Sequence, residues 1–297
     1  MKNILIAGGS GLVGKQLSKL LLQNNYEVAW LSRKNNATST IPCYKWNPEA
    51  GVIDPEAIAF ADVIIVLSGE NIAADRWTDK FKKKIITSRL QAAATINNAL
   101  KNHTNNVSHV IAASAIGFYG DRNDTLLDET SEKGTGFLAD TTQQWENAYS
   151  DFQVPVTNIR IGVVLSKAGG ALVEMSLPVK WGIASPLGSG KQFISWIHIE
   201  DLAGIFMHII QNQLTGIYNA VASHPVTNED FTKQLKNSLC KNAISFPTPA
   251  WAMKLLLGEK SAIVLDSSRV SNRKILDSGF IFKYESLDQA LKNFYGK

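Results

Sequence analysis

Gly8, Gly11 and Gly14 stand three residues apart, directly behind the apolar run of residues 4–7. Glycines at this spacing allow a tight turn and let the backbone come close to a pyrophosphate. A helix starting there supplies free N–H groups and a partial positive charge to the phosphates. The stretch "GGSGLVG" is therefore expected to hold a dinucleotide through Gly8, Ser10, Gly11, Leu12, Val13 and Gly14. The second apolar run ends in "WLSRK". A carboxylate at that tip would bind ribose hydroxyls and repel a 2′-phosphate. Here Ser32 and Arg33 occupy it, with Lys34 next. A guanidinium pairs with a phosphate and a hydroxyl can bond to it, so the pattern favours NADP(H) over NAD(H).

Further candidates lie where other strands end, since ligands of open α/β sheets bind at carboxyl ends. "VLSGENIA" leaves its strand through Leu67, Ser68 and Gly69, small enough for a ribose to pass. "ASAIGFYGD" carries Ala113 toward the cofactor and Ser114, Tyr119 and Asp121 toward chemistry. Tyr119 with Ser114 is the candidate proton-handling pair, and Tyr119 and Asp121 are candidate substrate contacts. Packing of Tyr119 is the alternative. Arg160 and Gly162, on and after the next strand, are candidate cofactor contacts, although Arg160 could equally face a buried carboxylate. Lys191 and Trp196 are expected to face the substrate. The five histidines show no metal-ligand spacing, so no metal is expected.

The elements that must position these groups follow from periodicity. Short apolar runs at 3–7, 27–31, 63–67, 109–113 and 155–161 predict strands, and 216–222 predicts one more. Helical spacing over "KQLSKLLLQNN" and over 79–101 fills the gaps between them. Such alternation predicts an α/β fold, a Rossmann-type doubly wound parallel sheet. Glycines and prolines crowd residues 166–192, a loop-rich insertion, and the last 70 or so residues predict a smaller, mostly helical lobe. We expect a cofactor domain at 1–165, completed by about 193–222, with a substrate lobe from 166–192 and 223–297.

Charge and composition exclude several classes. Thirty basic against 26 acidic residues leave +4, too small and scattered for nucleic acid. No apolar run reaches the ~20 residues of a membrane span, so no membrane partner is expected. Cys43 and Cys240 have no redox or metal spacing, and a strand opening at Asn3 leaves no room for a signal peptide. A cytoplasmic monomer or homodimer is the expectation.

The glycine pattern, "SAIGFYGD", "RIGVVLS", "GSGKQFISWIHIEDLAG", "YNAVASHPVTNEDF", "SGENIAADRW" and the tail "LLLGEKSAIVLDSSRVSNRKILDSGFIF" together resemble an extended short-chain dehydrogenase/reductase. More narrowly the chain resembles the atypical epimerase-like family 39U, essentially from end to end. The resemblance implies a Rossmann domain with NADP(H), a C-terminal substrate lobe and the label NAD(P)-dependent epimerase/dehydratase.

Departures from the extended pattern bear on chemistry. Typical members carry Tyr-x-x-x-Lys on the helix after the fifth strand, the Tyr as acid/base and the Lys lowering its pKa. In "GFLADTTQQWENAY", anchoring on Glu146 puts Leu138 and Thr142 in those positions, and sliding by one gives Phe137 and Thr141. Tyr149 is followed four residues later by Gln153. Anchoring on Tyr119-Gly120 puts Ala115, not Ser114, in the usual hydroxyl position. Where relatives clamp a nucleotide-sugar phosphate with Arg, Ile194 falls, with Lys191 and Gln192 nearby. Neither can reproduce a guanidinium fork, which argues against a nucleotide-sugar substrate. His198 and Asp201 match the family's strand-to-helix turn, where His198 is expected to pack and Asp201 to cap the helix.

Two functions follow. One is an NADP(H)-dependent oxidoreductase or epimerase-like enzyme for a small polar substrate, with Tyr119 standing in for the missing pair, helped by Ser114, Asp121 or ordered water. The other is a non-catalytic protein that senses NADP(H), a role suited by family members linked to bacterial or plastid division.

Overall fold

Among the described residues eight strands form one sheet, and the alternation of their side chains explains why both faces are covered. The computed structural model describes residues 2–33 and 40–296. The strands are β1 (Asn3–Ala7), β2 (Glu27–Ser32), β3 (Cys43–Asn47), β4 (Val52–Ile53), β5 (Val63–Val66), β6 (His109–Ala115), β7 (Val156–Ile161) and β8 (Gly216–Ala220). Their order across the sheet is β8-β7-β6-β5-β1-β2-β3-β4. All neighbours are parallel except β3 and β4.

Ile4 and Ile6 of β1 face one side, with Val63 and Ile65 of β5, against Leu17 and Leu21. Leu5 and Ala7 face the other, with Ile64 and Val66, against Ala92 and Ile96. A sheet apolar on both faces must be wrapped on both, as in doubly wound folds. Helices α1 (Leu12–Gln23), α2 (Pro55–Phe60), α3 (Asp79–Asn102), α4 (Phe137–Asn147) and, after α5 (Ala171–Lys180), α6 (Ile199–Asn212) follow the chain around it, while α5 buries Leu172 and Val179 with Phe231, Leu235 and Leu291 of the later residues. Beyond β8, α7 (Asn228–Leu239), α8 (Ala250–Leu257), α9 (Ala262–Leu265), α10 (Arg273–Asp277) and α11 (Leu287–Tyr295) make a small helical region.

β1 pairs with β2 on one side and β5 on the other, so the winding reverses there. The loop after β1 therefore opens at the switch point where such sheets bind ligands. The sequence periodicity does not reveal β3, which lies next to the two-residue edge strand and buries only Trp46. Two-residue β4, paired antiparallel to it, was likewise not expected.

Candidate functional site: a glycine cradle beside a sealed polar network

The loop after β1 works because side chains are missing from it. Gly8 has φ +88°, and a Cβ there would lie 3.0 Å from the Leu67 carbonyl carbon and the Ser68 nitrogen. A Cβ on Gly14 would meet Gly8 O at 2.5 Å and Gly9 Cα at 2.6 Å. Glycine is thus the residue that lets α1 start against β1. Gly11 is the N-cap, with no side-chain cap and no acidic residue in the first turn. By contrast, Thr78 caps α3 by accepting from Phe81 N.

Trp30 and Ser18 stiffen this loop, and the motif reading missed both. The Trp30 indole N–H donates to Ser18 Oγ at 2.8 Å, and Ser18 donates to Gly14 O at 2.7 Å. The Trp30 ring fills the space a Gly9 side chain would need. Only the contact between residues 12 positions apart reveals that role.

The neighbouring strand ends complete the cradle. Ser68 carries a buried hydroxyl without a hydrogen-bond partner, a cost of about 1–3 kcal/mol unless a ligand supplies one. Gly69 presses on Arg89, whose guanidinium donates to Glu70 O at 3.1 Å and Ile85 O at 2.9 Å. Burial pulls the Arg89 pKa down to about 10. Ser32 is half-buried and Arg33 exposed at the tip of β2, while Lys34 lies outside the described residues. Gly170, at the start of α5, approaches Leu12, so the insertion borders the cradle. An orphaned hydroxyl, an uncapped helix start and glycine backbone form a donor set that fits a dinucleotide's phosphates and ribose.

The other candidates meet in a different place. Ser114 Oγ donates to Glu146 Oε1 at 2.6 Å. Arg160 grips the same carboxylate with two bonds of 2.8 Å, from Nε to Oε1 and from Nη2 to Oε2. Its Nη1 donates to Tyr119 Oη at 3.0 Å, and that hydroxyl donates to Asn219 Oδ1 at 2.8 Å. The guanidinium also lies 3.5 Å from the Phe118 ring centre. Burial alone would lower the Arg160 pKa, but bonds and charge from Glu146 and Tyr119 outweigh it and raise the value. Burial likewise lifts the Tyr119 phenol above its usual value, against the pull of Arg160.

This network corrects several readings. Tyr119 is 0% exposed and both roles of its hydroxyl are taken, so it packs. Arg160 faces a buried carboxylate rather than a cofactor pocket. A Cβ on Gly162 would strike Ser195 O at 2.4 Å, so that glycine serves the close crossing of β7 with residues 195 and 221. Trp196 is fully buried and donates to His224 O, which removes it from an open substrate surface. Asp121 accepts from the backbone of Asn123 and Ser267, tying a turn to the helical region. Lys191 is exposed on the loop before Trp196, and Ala113 is buried within β6.

His198, not Asp201, caps α6: its Nδ1 accepts from Glu200 N at 3.1 Å. The proton therefore sits on Nε2, which donates to Asn293 Oδ1 at 3.2 Å. The ring stacks between Tyr284 and Phe294, and burial lowers its pKa to about 4. Asp201 instead accepts from the backbone of Lys283 and Tyr284, and its burial raises its pKa. On α4, Leu138 and Thr142 lie against Gly117, just beyond β6. Thr142 donates to Leu138 O, so its hydroxyl is spent within the helix. Glu146 and Asn219 were not readable as site residues because their partners lie 14 and 100 positions away.

Fold and cradle together define a Rossmann-fold dinucleotide-binding protein of the extended short-chain dehydrogenase type. The chain belongs to the NAD dependent epimerase/dehydratase family, whose model matches residues 4–220. Residues 248–294 match a domain of unknown function, DUF1731. An epimerase family protein of Mycobacterium bovis is 35% identical, over 97% of this chain and 96% of that one. The solved human epimerase family protein SDR39U1 (isoform 2), with NADPH, is 29% identical with a TM-score of 0.89, over 99% of each chain. The nucleoside-diphosphate sugar epimerase of Corynebacterium glutamicum is 30% identical with a TM-score of 0.80, over 99% of this chain and 58% of that longer one. Among the described residues no helix is long and apolar enough to cross a membrane.

Proposed function

We propose that the chain binds NADP(H) in preference to NAD(H) and acts as an oxidoreductase or epimerase-like enzyme on a small polar substrate. Arg33, exposed at the tip of β2, supports the cofactor choice, as does the NADPH in the human relative's structure. Gly8, Gly11 and Gly14 would hold the pyrophosphate, Ser68 a ribose and Arg33 a 2′-phosphate. When bound, the cofactor supplies hydride transfer.

The observation that carries the catalytic part is Ser114, at the end of β6. Its proton is committed to Glu146 at 2.6 Å, which leaves the oxygen lone pairs to accept a bond from a substrate hydroxyl. Ser114 would orient the substrate while water handles the proton, since Tyr119 is sealed. A sensing role is the second reading, favoured by the sealed tyrosine and by Leu138 and Thr142 beside Gly117.

The test loads the protein with NADPH, adds a pooled small-metabolite extract and follows cofactor oxidation beside a Gly11→Asp control. Oxidation that needs the intact loop supports the enzyme. Tight binding without oxidation or reduction in either direction moves the function to sensing. Arg33→Asp is expected to weaken NADPH about tenfold or more and NADH far less. Equal losses would remove the NADP(H) assignment.

A further inference from the structure

Five of the seven tryptophans, Trp30, Trp46, Trp77, Trp145 and Trp196, are buried. The other two, Trp181 at 80% and Trp251 at 69% exposed, lie on one side of the helical region. They have apolar company. Ile183 pairs directly with Ile244 in a short parallel ladder, and Leu187 bridges to Thr248. Ser185 bonds to Phe246 O, and Ala250 at the start of α8 sits near Gly188. Residues 181–188 and 244–251 are therefore one surface. Ile244 is 70%, Phe246 50% and Leu255 80% exposed on it. Helix α8 buries none of its residues. Soluble surfaces rarely carry so many large apolar groups together without something to cover them.

The charges around the patch select what covers it. The two segments that build it, residues 175–199 and 231–258, contain six lysines and no Asp or Glu. Lys180, Lys241 and Lys254 are exposed beside the apolar groups. The carboxylates nearest along the chain, Glu174, Glu200, Asp230 and Glu259, lie just outside the segments, and Glu259 is tied to Lys82 at 2.7 Å. A two-fold dimer would press this patch on itself and set lysine against lysine, with Glu229, packed at Gly190, the carboxylate against these segments. Protruding tryptophans and aliphatic residues ringed by lysine suit a surface with an apolar interior and an anionic face.

We propose that this face docks reversibly on an anionic lipid bilayer. Trp181, Trp251 and Leu255 enter the headgroup boundary while the lysines meet lipid phosphates. The earlier expectation of no membrane partner rested on the lack of a spanning run, which a peripheral contact does not need. The face is built from residues other than those of the glycine cradle, so the proposal stands apart from the cofactor reading.

The test is flotation of the full chain with vesicles of phosphatidylcholine alone or with about 30% phosphatidylglycerol, at about 100 mM salt. We expect partitioning into anionic vesicles to exceed that into neutral ones by about tenfold. A blue shift of tryptophan emission should accompany it, because only Trp181 and Trp251 are exposed to change environment. The double variant Trp251→Glu/Leu255→Glu changes exposed side chains and should lose the partitioning while keeping its NADPH affinity. Absence of binding to either vesicle would overturn the proposal, as would equal binding to both. Unchanged binding by the variant would also overturn it. A concentration-dependent dimer that the same variant breaks would assign the face to a second copy instead.

Discussion

The two polar regions at the carboxyl end of the sheet differ in how far the protein itself satisfies them. Around the glycine loop, the first turn of α1 has no side-chain cap and the Ser68 hydroxyl is buried without a partner. Two strands away, Glu146, Arg160, Tyr119 and Asn219 bond to one another, Asn219 passes the chain on to Ser271 O and Glu129, and Ser114 donates into the group with its own acceptor sites left over. Unmet donors with glycine backbone mark where a ligand completes the structure. A saturated network marks where the structure has completed itself. The residue types alone placed ligand chemistry in both regions, with Tyr119 and Ser114 as the proton-handling pair and Arg160 as a cofactor contact or the partner of a buried carboxylate.

That contrast can be broken most sharply at Arg160. Arg160→Met leaves the Glu146 carboxylate buried without its partner and should cost about 3–5 kcal/mol of stability in urea unfolding. A loss below about 1 kcal/mol would mean the network is not a structural unit. Tyr119→Phe should cost about 1–2 kcal/mol, because Asn219 Oδ1 loses its donor, with NADPH affinity unchanged. A large fall in affinity with stability intact would instead give Tyr119 a part in the cofactor site.

Ser68→Ala sharpens the other side. It removes a hydroxyl with no partner, so thermal stability should hold or rise slightly while dinucleotide affinity falls by about threefold to tenfold. Lost stability with unchanged affinity would contradict the ligand role.

Acid should act on neither polar region first but on two buried histidines. His109 and His198 are each held near pKa 4 by burial, against an ordinary 6.5. Between those values the unfolded chain binds more protons, so stability is full above about pH 6.5 and drains as pH falls toward 4. Unfolding midpoints across that range should decline, and His198→Gln should flatten the slope by about half. A slope unaffected by that substitution would clear His198 of the role.

Much of the fold was legible in short windows. The strands β1, β2, β5, β6, β7 and β8 and the long helix α3 carry their own periodicity, and the glycine loop carries its own spacing. The cradle could be read because its determinants sit within one turn of chain. The strand β3 could not, because a strand with one buried residue leaves a weak apolar signal.

By itself, then, the sequence determined the parallel sheet, the glycine cradle and the absence of Tyr-x-x-x-Lys from α4. Only the tertiary structure decided that Arg160 meets Glu146, that Tyr119 is sealed beneath Asn219, and that Trp181 and Trp251 share one outer face while Trp196 is buried. The physical reason is range. Backbone turns and periodic burial are set by neighbours a few residues apart. The pairing of a buried charge, the saturation of a hydroxyl and the exposure of an indole depend on which distant segments arrive beside it.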